Sequence, residues 1–352
     1  MQLERDYKRI VVKIGSSFLT DDNGNIDEKR FFCIANQISA LIKKGISVIV
    51  VSSGAIASAM ALLKEKSRPK DIFALQAMAS LGQPHLIELY NKYLAKFGLR
   101  CGQVLLTWDD FNDRSRYLNA KHTILKLIEL GFIPVINEND TISNQEIRFG
   151  DNDRLSSLVA ILVEADLLVV LSDVDGLYDG EKKVIPFVDK IDQKIESLAK
   201  GTNKARSVGG MISKIQAAKM CVNSGISCFI ANGRTEDILL KIAKDEAVGT
   251  LFSGCRKIAS KKHWLAFSAK SKGKLIVDDG AVQALKRHKS LLSVGLVDCF
   301  GKFTKGDVVD IEDLKGEAFA KGKVNFDCDY LAKNKRKKIS QEVVHCDNLV
   351  LL

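Results

Sequence analysis

Across the first 250 residues, short β-branched runs alternate with stretches whose apolar residues recur near every 3.6 positions. That alternation is the signature of parallel strands joined by crossover helices. The runs predict strands at Arg9 to Ile14, Ser47 to Ser52, Cys101 to Leu106, Phe132 to Ile136, Leu167 to Leu171 and Ser227 to Ala231. Helical periodicity covers Asp27 to Lys44, Pro84 to Phe97, Ser115 to Leu130, Asp153 to Glu164 and Gly210 to Ser224. Residues 1–252 are therefore expected to form an α/β unit, a three-layer αβα sandwich around a mainly parallel sheet.

The pattern changes after Phe252. Residues 253–270 are polar and lysine-bearing, as a linker would be, and 271–352 read as short strands broken by glycines. A separate small β-rich domain is expected there.

A chain of 352 residues, 46% hydrophobic and 27% charged, can bury two cores. Its longest apolar runs, such as LLVVL at Leu167 to Leu171, fall far short of a membrane span, and the opening MQLERDYKRI has no apolar segment. A cytoplasmic location is expected. The eight cysteines form no C-x-x-C pair, and His345 beside Cys346 lacks a second pair at zinc spacing, so no metal ligands are assigned. The net charge of +10 is uneven: residues 253–352 carry 20 basic and 12 acidic side chains, so +8 of it lies in the tail.

In a doubly wound sheet, ligands gather where strands end and helices begin. Here those junctions are polar or rich in glycine. VVKIGSS ends a strand with Lys13, Gly15, Ser16 and Ser17, a combination that lets backbone approach a phosphate while lysine offsets its charge. VVSSGAIA opens a helix at Ser52, Ser53 and Gly54, which suits an anion as well as ordinary serine capping. VINENDTIS and FGDNDRLS supply Asn137 to Asp140 and Asp151 to Asp153, more amides and carboxylates than turns require. VVLSDVDGLYD ends a strand with Ser172 and Asp173, and VGGMISK presents Lys214 about one turn inside a helix begun by Gly209 and Gly210. Asp173, Asp175 and Gly176 hint at a calcium loop but lack its remaining ligands. With no G-x-x-x-x-G-K-[ST] and no G-x-G-x-x-G, the chain has neither a P-loop nor a dinucleotide fingerprint.

Taken in order, VVKIGSS, VVSSGAIA, LLTWDDFNDRSRYLNA, PVINENDT, GDNDRLS, LSDVDGLY and GGMISKIQAA resemble the glutamate 5-kinases of the amino acid kinase family. KGKLIVDDGAVQALKRHKSLL and FGKFTKGDVVDI are similar to a PUA domain, a small pseudo-barrel that bacterial members often carry. The resemblance spans the chain, with two departures: Val208 stands where the family often has threonine, and the segment from Gly176 to Ser207 is shorter than usual.

The resemblance implies phosphorylation of the γ-carboxylate of L-glutamate by ATP with Mg²⁺, the first step of proline synthesis, under feedback inhibition by proline. It places Lys13 and Lys214 on either side of the transferring phosphoryl, with Asp153 holding both ammonium groups and Mg²⁺ bridging the β- and γ-phosphates. It assigns Ser53, Gly54, Asp140 and Asn152 to glutamate. It places Lys13, Ser172, Asp173, Gly209, Gly210, Met211, Ile212, Ser213 and Lys214 along ATP. A homo-oligomer, handover to glutamate-5-semialdehyde dehydrogenase and RNA contact through the basic tail are further expectations. An acetylglutamate, aspartate or uridylate kinase would share the sheet and lysines, but gives no reason for the paired NEND and GDND clusters. An RNA-binding protein that retains a kinase fold accounts for the tail alone.

Overall fold

The computed structural model describes residues 7–21, 24–65, 67–142, 152–200, 210–254, 265 and 271–351. Two compact units emerge, one from residues 1–110 and 118–257, the other from 111–117 and 258–352. In the first, β1 (Arg9–Ile14), β2 (Ser47–Ser52), β3 (Cys101–Leu106), β4 (Ile133–Glu138), β5 (Leu167–Ser172), β6 (Phe187–Val188), β7 (Ser227–Asn232) and β8 (Gly249–Phe252) form one sheet, ordered β3-β4-β2-β1-β5-β7-β8-β6. All neighbours run parallel except β7 and β8.

In chain order the helices are α1 (Ser16–Leu19), α2 (Glu28–Lys43), α3 (Ala55–Leu63), α4 (Ile72–Leu94), α5 (Trp108–Asn112), α6 (Arg114–Glu129), α7 (Asn152–Leu162), α8 (Gln193–Lys200), α9 (Met211–Asn223) and α10 (Ile238–Ala243). Strand alternation assigns the faces. Ile10, Val12 and Ile14 enter the core they share with Phe31 and Ile34 of α2 and Leu86 and Tyr90 of α4. Val11 and Lys13 therefore face the opposite side, where α7 crosses β1. The expected three layers are present.

The main departures from the sequence pattern concern α4, β4 and two short strands. The helix expected from Pro84 starts at Ile72, where the Asp71 carboxylate accepts from the Ala74 amide at 2.8 Å, and it runs through Pro84. Proline removes its own donor and crowds the carbonyl one turn back, and burial of Gly82, Gln83, Leu86 and Leu89 around it offsets that cost. The strand expected at Phe132 to Ile136 instead runs to Glu138, because Asn137 and Glu138 pair with Leu105 and Leu106 of β3. The strands β6 and β8, of two and four residues, are too short to show a period.

In the second unit, β9 (Gly273–Val277), β10 (Leu296–Gly301), β11 (Val308–Glu312), β12 (Ala318–Lys323) and β13 (Leu349–Leu351) form a sheet ordered β10-β9-β11-β12-β13. Only β9 and β11 pair in parallel. With α11 (Asp279–Lys286) and α12 (Cys328–Lys333), it closes over a core that includes Leu275, Val277, Leu285 and Ile311. This is the β-rich domain expected from the tail. Among the described residues no helix is long and apolar enough to cross a membrane.

Candidate active site

The strand β1 lies between β2 and β5, and the chain builds outward from it in both directions. Such a switch point opens a crevice at the carboxyl ends of the strands. Lys13 stands there, one residue from the end of β1, its side chain 9% exposed. Gly15 follows; a Cβ at that position would lie 3.5 Å from the Lys13 ammonium.

Asp153, in the first turn of α7, is the meeting point of two lysines. Lys13 Nζ lies 2.7 Å from Asp153 Oδ1, and Lys214 Nζ, from the first turn of α9, lies 3.2 Å from Oδ2. The Ser213 hydroxyl reaches the same Oδ2 at 2.7 Å. Burial alone would push the Asp153 carboxyl up, but the ammonium groups of Lys13 and Lys214, with hydrogen bonds from Lys13 and Ser213, hold it down at about 2. Two fixed cations on one carboxylate leave the crevice wall positive, which suits a pair of anions that must approach each other.

Asn152, one residue earlier, ties the ends of β2 and β4 together. Its Nδ2 donates towards Ser53 Oγ at 2.9 Å, Asn137 Oδ1 at 3.0 Å and the Ser52 carbonyl at 3.3 Å. The Ser53 amide donates to the Ile14 carbonyl at 2.9 Å, and Gly54 follows with φ +106°, a conformation that favours glycine. That left-handed turn directs the chain into α3. Asn152 Oδ1 and Asp140 Oδ1 are buried acceptors with no hydrogen-bond partner among the described residues. Burial raises the Asp140 carboxyl to about 6, and the charge of Arg68 opposes the rise.

A cavity of about 420 Å³ joins these groups. Of the residues singled out in the sequence, Lys13, Ser53, Gly54, Asp140, Asn152, Ser172, Asp173 and Lys214 line it. Gly210, Met211, Ile212 and Ser213 do not: the Met211 side chain is buried, Ile212 is exposed, and Ser213 acts on Asp153 instead. Gly210 precedes α9, and among the described residues nothing lies within 4 Å of where its Cβ would stand. Gly209, Asp151 and Val208 lie outside the described residues. Asp173 Oδ1 accepts from the Ser172 hydroxyl at 3.1 Å. Asp175 accepts from Asn232 and Tyr178 at 2.9 and 3.0 Å, which accounts for its carboxylate without calcium.

Asn137, one of the cluster singled out in the sequence, anchors Asn152. Two further contributors escaped the sequence pattern. Arg68 lines the cavity from an unpatterned stretch between α3 and α4. Tyr90 is buried in α4, its hydroxyl 2.8 Å from Ser52 Oγ. Ser52 Oγ gives its proton to the Ser53 carbonyl at 2.8 Å, so Tyr90 must be the donor in their contact. A tyrosine at a core-facing helical position carries no sequence signal of such a relay.

Comparison with known proteins gives the family. Residues 8–232 match the amino acid kinase family, and residues 273–346 match the PUA domain. The glutamate 5-kinase of Caldanaerobacter subterraneus subsp. tengcongensis is 44% identical over 98% of each chain. That of Thermoanaerobacter sp. is 42% identical over 98% of each, and that of Azoarcus sp. 41% identical over 99% of this chain and 98% of its own.

Proposed function

The chain belongs to the glutamate 5-kinase branch of the amino acid kinase family, and we infer from this membership and from the site that it transfers the γ-phosphoryl group of ATP to the side-chain carboxylate of L-glutamate, the first step of proline synthesis. The observation that carries the mechanism is the pairing of Lys13 and Lys214 on one buried carboxylate at the switch point of the sheet.

A carboxylate attacks phosphorus poorly mainly because two anions repel, so the reaction needs positive charge and alignment more than a base. Lys13 and Lys214 supply the charge on either side of the phosphoryl in transit. Asp153 fixes their positions and, ionised throughout the physiological range, takes no proton from the substrate. Ser53, Gly54 and Asn152 hold the amino acid, with Asp140 Oδ1 and Asn152 Oδ1, unpartnered among the described residues, facing its ammonium group. The nucleotide runs along Ser172 and Asp173 toward the start of α9, whose first amides and positive dipole end favour phosphate. Gly209, Gly210, Met211, Ile212 and Ser213 are assigned to that strip of backbone.

Mg²⁺, when bound with the nucleotide, would offset phosphate charge, and Asp173 would be the cavity residue to hold it there. The donor set fits that arrangement: Asp153 is committed to two lysines, and Asp173 is the cavity carboxylate left for the nucleotide end. Functionally we divide the chain into a catalytic domain (1–252), a linker (253–270) and a PUA domain (271–352) whose basic charge suits RNA. The product is an acyl phosphate prone to hydrolysis, so direct transfer to glutamate-5-semialdehyde dehydrogenase and assembly as a homo-oligomer belong to the same reading.

The test is glutamate-dependent release of ADP with trapping of the acyl phosphate as a hydroxamate. ADP release without a trapped product, or equal rates with aspartate and acetylglutamate, would overturn the assignment. Proline, as an α-amino acid, is proposed to compete at the Asp140 end. Titration with L-proline should raise the glutamate KM, and an unchanged KM would exclude that competition.

A further inference from the structure

Under the glutamate kinase reading, on which this inference rests, the groups placed above answer two of the three charges on glutamate. Lys13 and Lys214 serve the reacting carboxylate and the phosphates. Asp140 Oδ1 and Asn152 Oδ1, buried and unpartnered among the described residues, serve the ammonium group. Neither acceptor can bind the α-carboxylate, which sits one carbon from the ammonium and would be repelled by an ionised Asp140. A cation is needed beside the acid.

Among the described residues that line the cavity, the only cation besides the two lysines is Arg68. It is close enough for its charge to act on Asp140, yet the two form no ion pair, and its guanidinium has no hydrogen-bond partner among the described residues. An acid and a base that line one cavity without pairing with each other can together answer the two charges of a zwitterion. Arg68 is also held on a stiff stretch, because Pro69 fixes its own φ and restricts the residue before it. Ile56 and Met60 line the same cavity and offer apolar wall for the substrate's methylene groups. A guanidinium stays charged at any working pH and meets a carboxylate with two parallel N–H donors.

We propose that Arg68 binds the α-carboxylate of the substrate and thereby sets the enzyme's selectivity for an α-amino acid. Arg68 and Asp140 would then read the two charges of the α-carbon as a pair, while the lysines act on the far carboxylate.

Two substrate analogues separate the charges. In 4-aminobutyrate the ammonium group and the reacting carboxylate remain but the α-carboxylate is gone; glutarate keeps both carboxylates and lacks the ammonium. kcat/KM for L-glutamate and both analogues is measured by hydroxamate trapping on the full-length wild type, Arg68→Gln and Arg68→Lys. Inhibition constants against L-glutamate replace kcat/KM where an analogue turns over too slowly. Arg68→Gln should lose roughly 10- to 100-fold on L-glutamate and glutarate, and change less than about 3-fold on 4-aminobutyrate, with the ATP KM unaltered. Arg68→Lys should recover part of the loss. Equal losses on L-glutamate and 4-aminobutyrate, a similar rise in ATP KM, or a loss on L-glutamate under about 3-fold would each overturn the assignment. A wild type that does not phosphorylate L-glutamate would instead overturn the underlying reading.

Discussion

Lys13 Nζ and Asp153 Oδ1 stand 2.7 Å apart although 140 residues separate them, and both side chains are almost wholly buried. Asp153 also holds Lys214, so its removal should cost more than one contact. Asp153→Asn leaves two buried ammonium groups facing a neutral amide, and kcat should fall by about 10²-fold or more. Lys13→Met and Lys214→Met should each do the same to kcat with smaller changes in KM, as steady-state kinetics will show.

The same carboxylate links stability to pH. Its folded value of about 2 lies below its ordinary 3.8, so it stabilises the fold above pH 4 and the contribution fades as pH falls from about 4 to 2. The size is about 2 kcal/mol. Denaturant unfolding of the wild type should lose that much between pH 5 and pH 2 beyond any loss shown by Asp153→Asn. Parallel pH curves would refute the linkage.

Asp140 runs in the opposite sense. Raised to about 6, it favours the fold when protonated and opposes it by up to about 3 kcal/mol once pH passes through the interval from about 4 to 6. Asp140→Asn should therefore unfold at higher denaturant than wild type at pH 7 but not at pH 4. Glutamate binding needs the ionised form, so kcat/KM for glutamate should decline below about pH 6. In Asp140→Asn that acid limb should vanish and the glutamate KM should rise.

Tyr90 donates to Ser52 Oγ, which donates to the Ser53 carbonyl. Tyr90→Phe frees the end of β2 from that tether while keeping the ring. Stability should drop by about 1 kcal/mol and the glutamate KM should rise several-fold, with ATP KM unchanged. A rise in both KM values would mean a general loosening of the sheet.

Gly82 of α4 lies against the first turn of α3. A Cβ there would sit 1.8 Å from the Ala55 carbonyl oxygen, inside any tolerable contact. Gly82→Ala must push apart α3 and α4 at the turn that carries Ser53 and Gly54. A loss of about 2 to 3 kcal/mol in denaturant unfolding is expected, with a raised glutamate KM.

The alternation of strands and helices was written in the sequence because each strand of a covered parallel sheet is an unbroken β-branched run and each crossover helix needs one apolar face. Lys13, Ser53, Asp140, Asn152 and Asp153 stood out for a related reason: polar residues directly after buried strands have few other uses. Order along the chain could not say which groups touch. That Asp153 bridges Lys13 and Lys214 depends on β1 being central, on period-two alternation turning Lys13 toward α7, and on α9 packing beside α7. Tyr90 and Arg68 were invisible, one because a core-facing aromatic looks like packing, the other because a lone arginine beside a proline looks like surface. Only tertiary structure gave them partners and a cavity, since the same side chain binds or merely packs according to what the rest of the chain brings within reach.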